Sequence, residues 1–157
     1  MKIIKSLSLI MLMMAANTTE AQDFEANGIY YNVLWEDNDG GTVEVTCKDG
    51  IYGSYAGDIV IPARVRHDGG IYRVTTIGDR AFYDCDALTS VEMPEATTIG
   101  DSAFSGCSTL ASVSMPAVTT IGDYAFSNCS ALISISMPMV TTIGDYAFSN
   151  CSALISI

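Results

Sequence analysis

Cys85, Cys107, Cys129 and Cys151 stand 22 residues apart, and Asp79, Asp101, Asp123 and Asp145 keep the same step. A constant step places equivalent residues in a row, one structural unit above the next. A zinc centre built from the cysteine row fails on distance. Its first and last sulfurs would lie ~14 Å apart across three strand spacings, too far to share one ion at ~2.3 Å. Neighbouring cysteines ~5 Å apart fall inside the disulfide window, yet units in register point their Cβ atoms the same way. The chain also holds five cysteines, an odd number. Buried free thiols acting as small apolar residues are therefore expected, with one or two disulfides as the alternative. No repeat carries a His or basic partner that would activate a thiolate. The aspartate row could be read as a calcium ladder, but carboxylates ~5 Å apart repel by ~0.8 kcal/mol even in water. Each Asp stands three residues before a Phe, as in Asp101 and Phe104, where a cap on a helical turn would contribute about 1 kcal/mol. Capping is the expected role.

Other candidates are weaker. Glu36, Asp37, Asn38 and Asp39 precede Gly40-Gly41 without the spacing of a calcium-binding loop, and are read as a solvated loop. His67, between Arg66 and Asp68, is read as an ordinary exposed loop residue. The triplets Asn128-Cys129-Ser130 and Asn150-Cys151-Ser152 fall inside the repeat and carry no weight as glycosylation signals. No nucleophile elbow, zinc-binding His pair or phosphate-cradling glycine loop occurs. No catalytic residue, cofactor or metal is expected.

The elements behind these rows follow from the period. Ile-Gly-Asp begins at Ile77, Ile99, Ile121 and Ile143; Phe recurs at 82, 104, 126 and 148, and Leu at 88, 110, 132 and 154. Residues 114–135 and 136–157 differ only at Ala117 and Met139, a recent duplication. A step of this length with regularly placed aliphatics predicts a leucine-rich-repeat solenoid. In residues 88–109, Leu88, Val91 and Met93 form an inward-facing strand, which Pro94 ends for want of an N–H. Thr97 to Ile99 is a second extended piece, Gly100 supplies a sharp turn, and one helical or 3-10 turn brings Phe104 inward. Stacked 22-residue coils with short parallel strands would then bury continuous rows of Phe, Leu, Ile and Val. The string C-x-x-L-x-S-[VI]-x-M-P-x-x-T-T-I-G-D-x-A-F, repeated from Cys85 over about 74–157, resembles the BspA-like leucine-rich-repeat family of bacterial surface proteins. Its step is slightly shorter than the family's common length. The resemblance implies an extracellular or cell-surface binding role and an adhesive association with matrix proteins.

Residues 22–73 do not repeat. Turn signals at Asn27-Gly28 and Asp68-Gly69-Gly70, with strand patterns at 29–33, 42–47, 58–61 and 71–74, predict a small antiparallel β cap over the first coil. Residues 1–21 read as a cleaved signal peptide: Lys2 and Lys5, then an apolar run from Ser6 to Ala16, then small residues at Thr19 and Ala21. That run is too short to span a bilayer, which takes about 20 residues, and no cysteine precedes Cys47 as a lipid anchor. The array is then residues 74–157, four repeats with the last cut short.

Seven basic residues against 18 acidic ones, a net charge of −11, argue against nucleic acid and anionic membranes. The expected function is a secreted or cell-surface binding module engaging an extracellular or host protein. Its candidate face is Ser90, Glu92, Ser112, Ser114, Ser134 and Ser136, which alternate with the inward strand residues. A passive spacer is the second reading, supported by the uniformity of the repeats. A glycan-binding module centred on Trp35 and the cap tyrosines is the third. The sequence stops at Ile157, inside a strand. An uncapped coil exposing Phe148, Leu154 and Ile157 is expected to self-associate end to end.

Overall fold

The computed structural model describes residues 21–156. The leader reading, apart from Ala21, and the part assigned to Ile157 lie outside them. Among the described residues twelve strands occur in chain order: β1 (Phe24–Ala26), β2 (Ile29–Asp37), β3 (Gly40–Thr46), β4 (Ala56–Val60), β5 (Arg64–His67) and β6 (Gly70–Ile77), then β7 (Ala87–Glu92), β8 (Thr98–Ile99), β9 (Ser112–Ser114), β10 (Thr120–Ile121), β11 (Ser134–Ser136) and β12 (Thr142–Ile143). One sheet runs β1-β2-β3-β6-β8-β10-β12, with β5 also on β6; the other runs β11-β9-β7-β4. The repeat strands are parallel and in register at the sequence period, Ser90 on Ser112 on Ser134 and Ile99 on Ile121 on Ile143.

Residues 22–73 supply antiparallel hairpins, β1 with β2, β2 with β3 and β5 with β6. Asn27-Gly28 and Asp68-Gly69 both adopt positive φ at the two turn positions, 54° and 78°, 47° and 84°. This is the hairpin geometry whose twist matches the strands. The hairpins join the array through parallel pairs, β3 to β6 and β4 to β7. Strand β6 therefore belongs to both parts: β3 pairs along it from Ile71 to Ile77, β5 pairs with Gly70 to Arg73, and Thr76 and Ile77 pair with β8.

Inside the coils, Phe82, Phe104 and Phe126 are fully buried and stack with Phe148 at centroid distances of 4.9, 5.0 and 5.3 Å. Leu88, Val91 and Met93 are buried as the strand pattern predicts, and Leu110, Val113, Met115, Leu132 and Ile135 repeat the placement. Tyr31, Tyr55 and Tyr72 fill the cap core beneath them.

Several local expectations are corrected. No helical or 3-10 turn precedes the phenylalanines. From Arg80 to Cys85 the N–H groups alternate: those of Arg80, Phe82 and Asp84 donate to carbonyls of the next coil, and those of Ala81, Tyr83 and Cys85 donate three residues back. The next coil repeats this from Ser102 to Cys107. Left-handed residues at Arg80, Ser102, Tyr124 and Tyr146, with φ of 55° to 57°, interrupt any helix. With no helix among the described residues, the aspartates do not cap one. Asp79 Oδ1 instead accepts the N–H of Asp101 at 2.8 Å, Asp101 Oδ1 that of Asp123 at 2.9 Å, and Asp123 Oδ1 that of Asp145 at 2.7 Å. The glycine of Ile-Gly-Asp is needed for close approach rather than for turn freedom, because the preceding coil's Asp packs against its Cα.

In the cap, the predicted loop 36–41 is only Asn38-Asp39, since β2 runs on to Asp37 and β3 starts at Gly40. The Tyr72 hydroxyl donates to Glu36 at 2.9 Å and helps hold that strand end. His67 is no loop residue. It lies in β5, half-buried, its ring stacked on Phe24 at 4.1 Å and 5°.

Candidate functional site

The candidate face lies on the four-stranded sheet. Two rows cross it, Ser90, Ser112 and Ser134 above one another, and Glu92, Ser114 and Ser136 beside them. Alternation along each strand explains the placement, since Val91, Val113 and Ile135 between them point into the core. Five of the six residues are exposed. Ser90 is the exception. It is half-buried, and it and Thr89 each donate to Asp58 Oδ1 at 2.6 Å, which holds the Asp58 carboxyl below its usual range. The free face thus begins at Glu92. It offers hydroxyls and one carboxylate, flanked by the exposed aliphatics Val60 and Ile133.

The thiol row is structural. All five cysteines are free, with Cys85, Cys107 and Cys129 buried. They are more than small apolar residues. Cys107 Sγ donates to the Phe82 carbonyl at 2.9 Å, Cys129 to Phe104 at 3.1 Å and Cys151 to Phe126 at 3.0 Å. Each thiol thereby ties its coil to the one before. Burial pushes Cys129 up to about 12, and the neighbouring Cys85 thiol together with burial raises Cys107. A thiol that holds its proton more tightly in the fold than in the unfolded chain favours unfolding once pH exceeds the unfolded value. From the ordinary 9.0 up towards 12 the native state keeps protons that the unfolded chain releases. Tyr31, pushed up to about 12 by burial, acts in the same direction above its ordinary 10.0. Urea midpoints are accordingly expected to stay level up to about pH 8.5 and to fall steadily at higher pH. A midpoint unchanged at pH 10.5 would refute the buried thiols. At pH 8, a thiol reagent should modify half-buried Cys47 in the native protein and reach Cys107 and Cys129 only after denaturation.

A second surface was not identified from the sequence. The turn segments of successive coils and the cap enclose an open groove of about 440 Å³, lined by Tyr52, Arg80, Tyr83, Ser102, Tyr124 and Asn128. Ser105 and Ser127, both over nine-tenths buried, complete the lining. Tyr52 packs edge-on against Tyr83 at 5.1 Å, and Tyr124 stacks on Tyr146 at 5.2 Å. A signal existed in the repeat: its left-handed position reads Arg80, Ser102, Tyr124, Tyr146, while the strand position reads Ser in all three coils. Trp35 is exposed on β2 and takes no part in the groove. Among the described residues no group of three or more His, Cys, Asp or Glu is arranged to hold a metal ion. No helix there is long and apolar enough to cross a membrane.

Residues 73–157 match the BspA-type leucine-rich repeat region in six copies. No curated protein matches the chain. Among solved structures, the leucine-rich repeat protein of T. pallidum is 26% identical with a TM-score of 0.63, over 85% of this chain and 69% of that one. A leucine-rich repeat protein from Bacteroides ovatus is 30% identical, TM-score 0.66, over 85% of this chain and 40% of its own length. A leucine-rich cell surface protein from Faecalibacterium prausnitzii is 35% identical, TM-score 0.67, over 83% and 35%. The chain thus spans less than half the length of the latter two. Period, parallel register, buried Phe row and N-terminal hairpins all agree with these likenesses, and the chain belongs to the BspA-type leucine-rich repeat family.

Proposed function

We propose that the protein is an exported, cell-surface adhesion module whose four-stranded sheet engages an extracellular or host protein. The observation that carries this reading is the in-register face of Ser112, Ser114, Ser134 and Ser136, exposed on a flat run of parallel strands. Small hydroxyls on a rigid backbone let a partner surface approach closely and exchange hydrogen bonds at every coil. Such a face lacks the buried aromatic and Arg anchors that concentrate binding energy. Single contacts are weak, and useful affinity comes from many copies on one surface. The F. prausnitzii relative is a cell surface protein, which supports the location.

The test displays the protein at high density on beads and measures retention on immobilised extracellular-matrix proteins. Ser112→Arg with Ser134→Arg fills the face with bulk and is expected to abolish retention, while Trp35→Ala leaves it intact. Retention unchanged by the arginine pair would overturn the strand face. The near-identity of 114–135 and 136–157 favours a second reading, a spacer that holds other parts of a protein away from the cell. No retention at any bead density would favour that spacer.

A further inference from the structure

We propose that the groove on the turn side of the coils binds a neutral oligosaccharide, independently of the strand face. Its lining has the chemistry of sugar recognition. Tyr52 and Tyr124 each leave nearly half their surface to solvent, 45% and 46%, aromatic surface of the kind that packs on the C–H side of a pyranose ring. Ser102 offers a hydroxyl beside them; the Asn128 amide, which donates to Ser127 Oγ at 3.3 Å and accepts from Asn150 at 2.9 Å, fixes a polar wall, and the buried Ser105 hydroxyl stands at the back. Arg80 adds a fork of donors; it is exposed and joins no ion pair among the described residues. No Leu, Ile, Val, Met or Phe lines the groove, so it lacks the apolar pocket that a peptide anchor fills.

Size and charge narrow the ligand. Tyr83 and Tyr124 lie two coils apart, and the buried rings mark those steps as 4.9 and 5.0 Å. A single sugar ring does not reach both, which makes the ligand an oligosaccharide. Asp79, Asp84, Asp101 and Asp123 are all exposed and adjoin the lining residues in sequence, in a chain of net charge −11. One guanidinium does not offset that field, so uronic, sialic and sulfated sugars are repelled. The left-handed position of the lining changes from coil to coil. Arg, Ser and Tyr occupy the same left-handed position in successive coils, a backbone region that costs roughly 1–2 kcal/mol for a residue with a Cβ.

Binding is measured by calorimetry and saturation-transfer NMR with maltotetraose, cellotetraose and N-acetylchitotetraose as neutral probes and tetragalacturonate as the acidic one. At least one neutral probe is expected to bind saturably, and tetragalacturonate to bind none. Tyr124→Ala and Arg80→Gln should each weaken binding about tenfold, with Tyr124→Phe keeping most of it as a fold-preserving control. Ser112→Arg with Ser134→Arg should leave sugar binding unchanged, which separates this groove from the adhesive face. Absence of saturable neutral binding, equal binding of tetragalacturonate, or loss on Trp35→Ala in place of Tyr124→Ala would overturn the proposal.

Discussion

Phe126→Ala is expected to lower the unfolding free energy by about 3–5 kcal/mol, the range of buried aromatic truncations. The ring is fully buried, lies parallel to Phe104 at 5.0 Å and 3°, and lies parallel to Phe148 at 5.3 Å and 2°. Coils touch only their neighbours, so removing this ring opens a void shared by three of them and weakens coupling in both directions. Phe148→Ala should cost less, because that ring is only half-buried and has one aromatic neighbour among the described residues. Ser134→Ala, on the exposed face, should stay within about 0.5 kcal/mol. Urea melts followed by circular dichroism check the order. Equal shifts for Phe126→Ala and Ser134→Ala would refute the assignment of inward and outward rows.

Gly122→Ala should be nearly as damaging, at about 3 kcal/mol, the upper end for overpacking. A Cβ there would stand 2.8 Å from the Asp101 backbone nitrogen and 2.8 Å from the Gly100 carbonyl carbon, and would press on the Asp101 carboxylate. The backbone cannot yield, since the Gly122 N–H is bonded to the Ile99 carbonyl at 2.8 Å. The same carboxylate would also lose its alignment with the Asp123 N–H. Gly28→Ala makes the useful contrast. Its Cβ would meet nothing within 4 Å, but its φ is +78°, so only the left-handed backbone penalty of about 1 kcal/mol applies. Thermal melts that rank the two equally would refute close contact as the reason for the glycine of the repeat.

The period made the array legible. Equivalent residues at a constant step share one environment, so the Phe and Leu rows, the two strands per coil and their register could be read without any structure. The reading failed where a residue's partner lies one coil away. Asp101 beside Ser-Ala-Phe has the local grammar of a helix cap, yet its carboxylate faces Asp123, a period further on. The cysteines resembled inert core residues because the carbonyl each one bonds is 25 positions back. His67 was misplaced for a related reason: its stacking partner, Phe24, comes from a different hairpin. The groove escaped because its lining is assembled from the cap and three coils, none of which carries a motif alone. The strand face was legible because alternation along one strand decides it.

The side-chain bonds of two rows run one way. The thiols of Cys107, Cys129 and Cys151 reach back to the preceding Phe carbonyl, and the carboxylates of Asp79, Asp101 and Asp123 accept from the coil that follows. In both rows the donor stands on the later coil and the acceptor on the earlier one at each of these steps. Cutting out one whole period, or inserting one, rejoins identical surfaces with every thiol, carboxylate and ring still matched. Unequal recombination between such repeats is thereby tolerated by the fold itself, and the one-residue difference between 114–135 and 136–157 is the trace such an event leaves. Array length becomes a quantity that a lineage can extend or shorten in whole coils, without re-inventing a core each time.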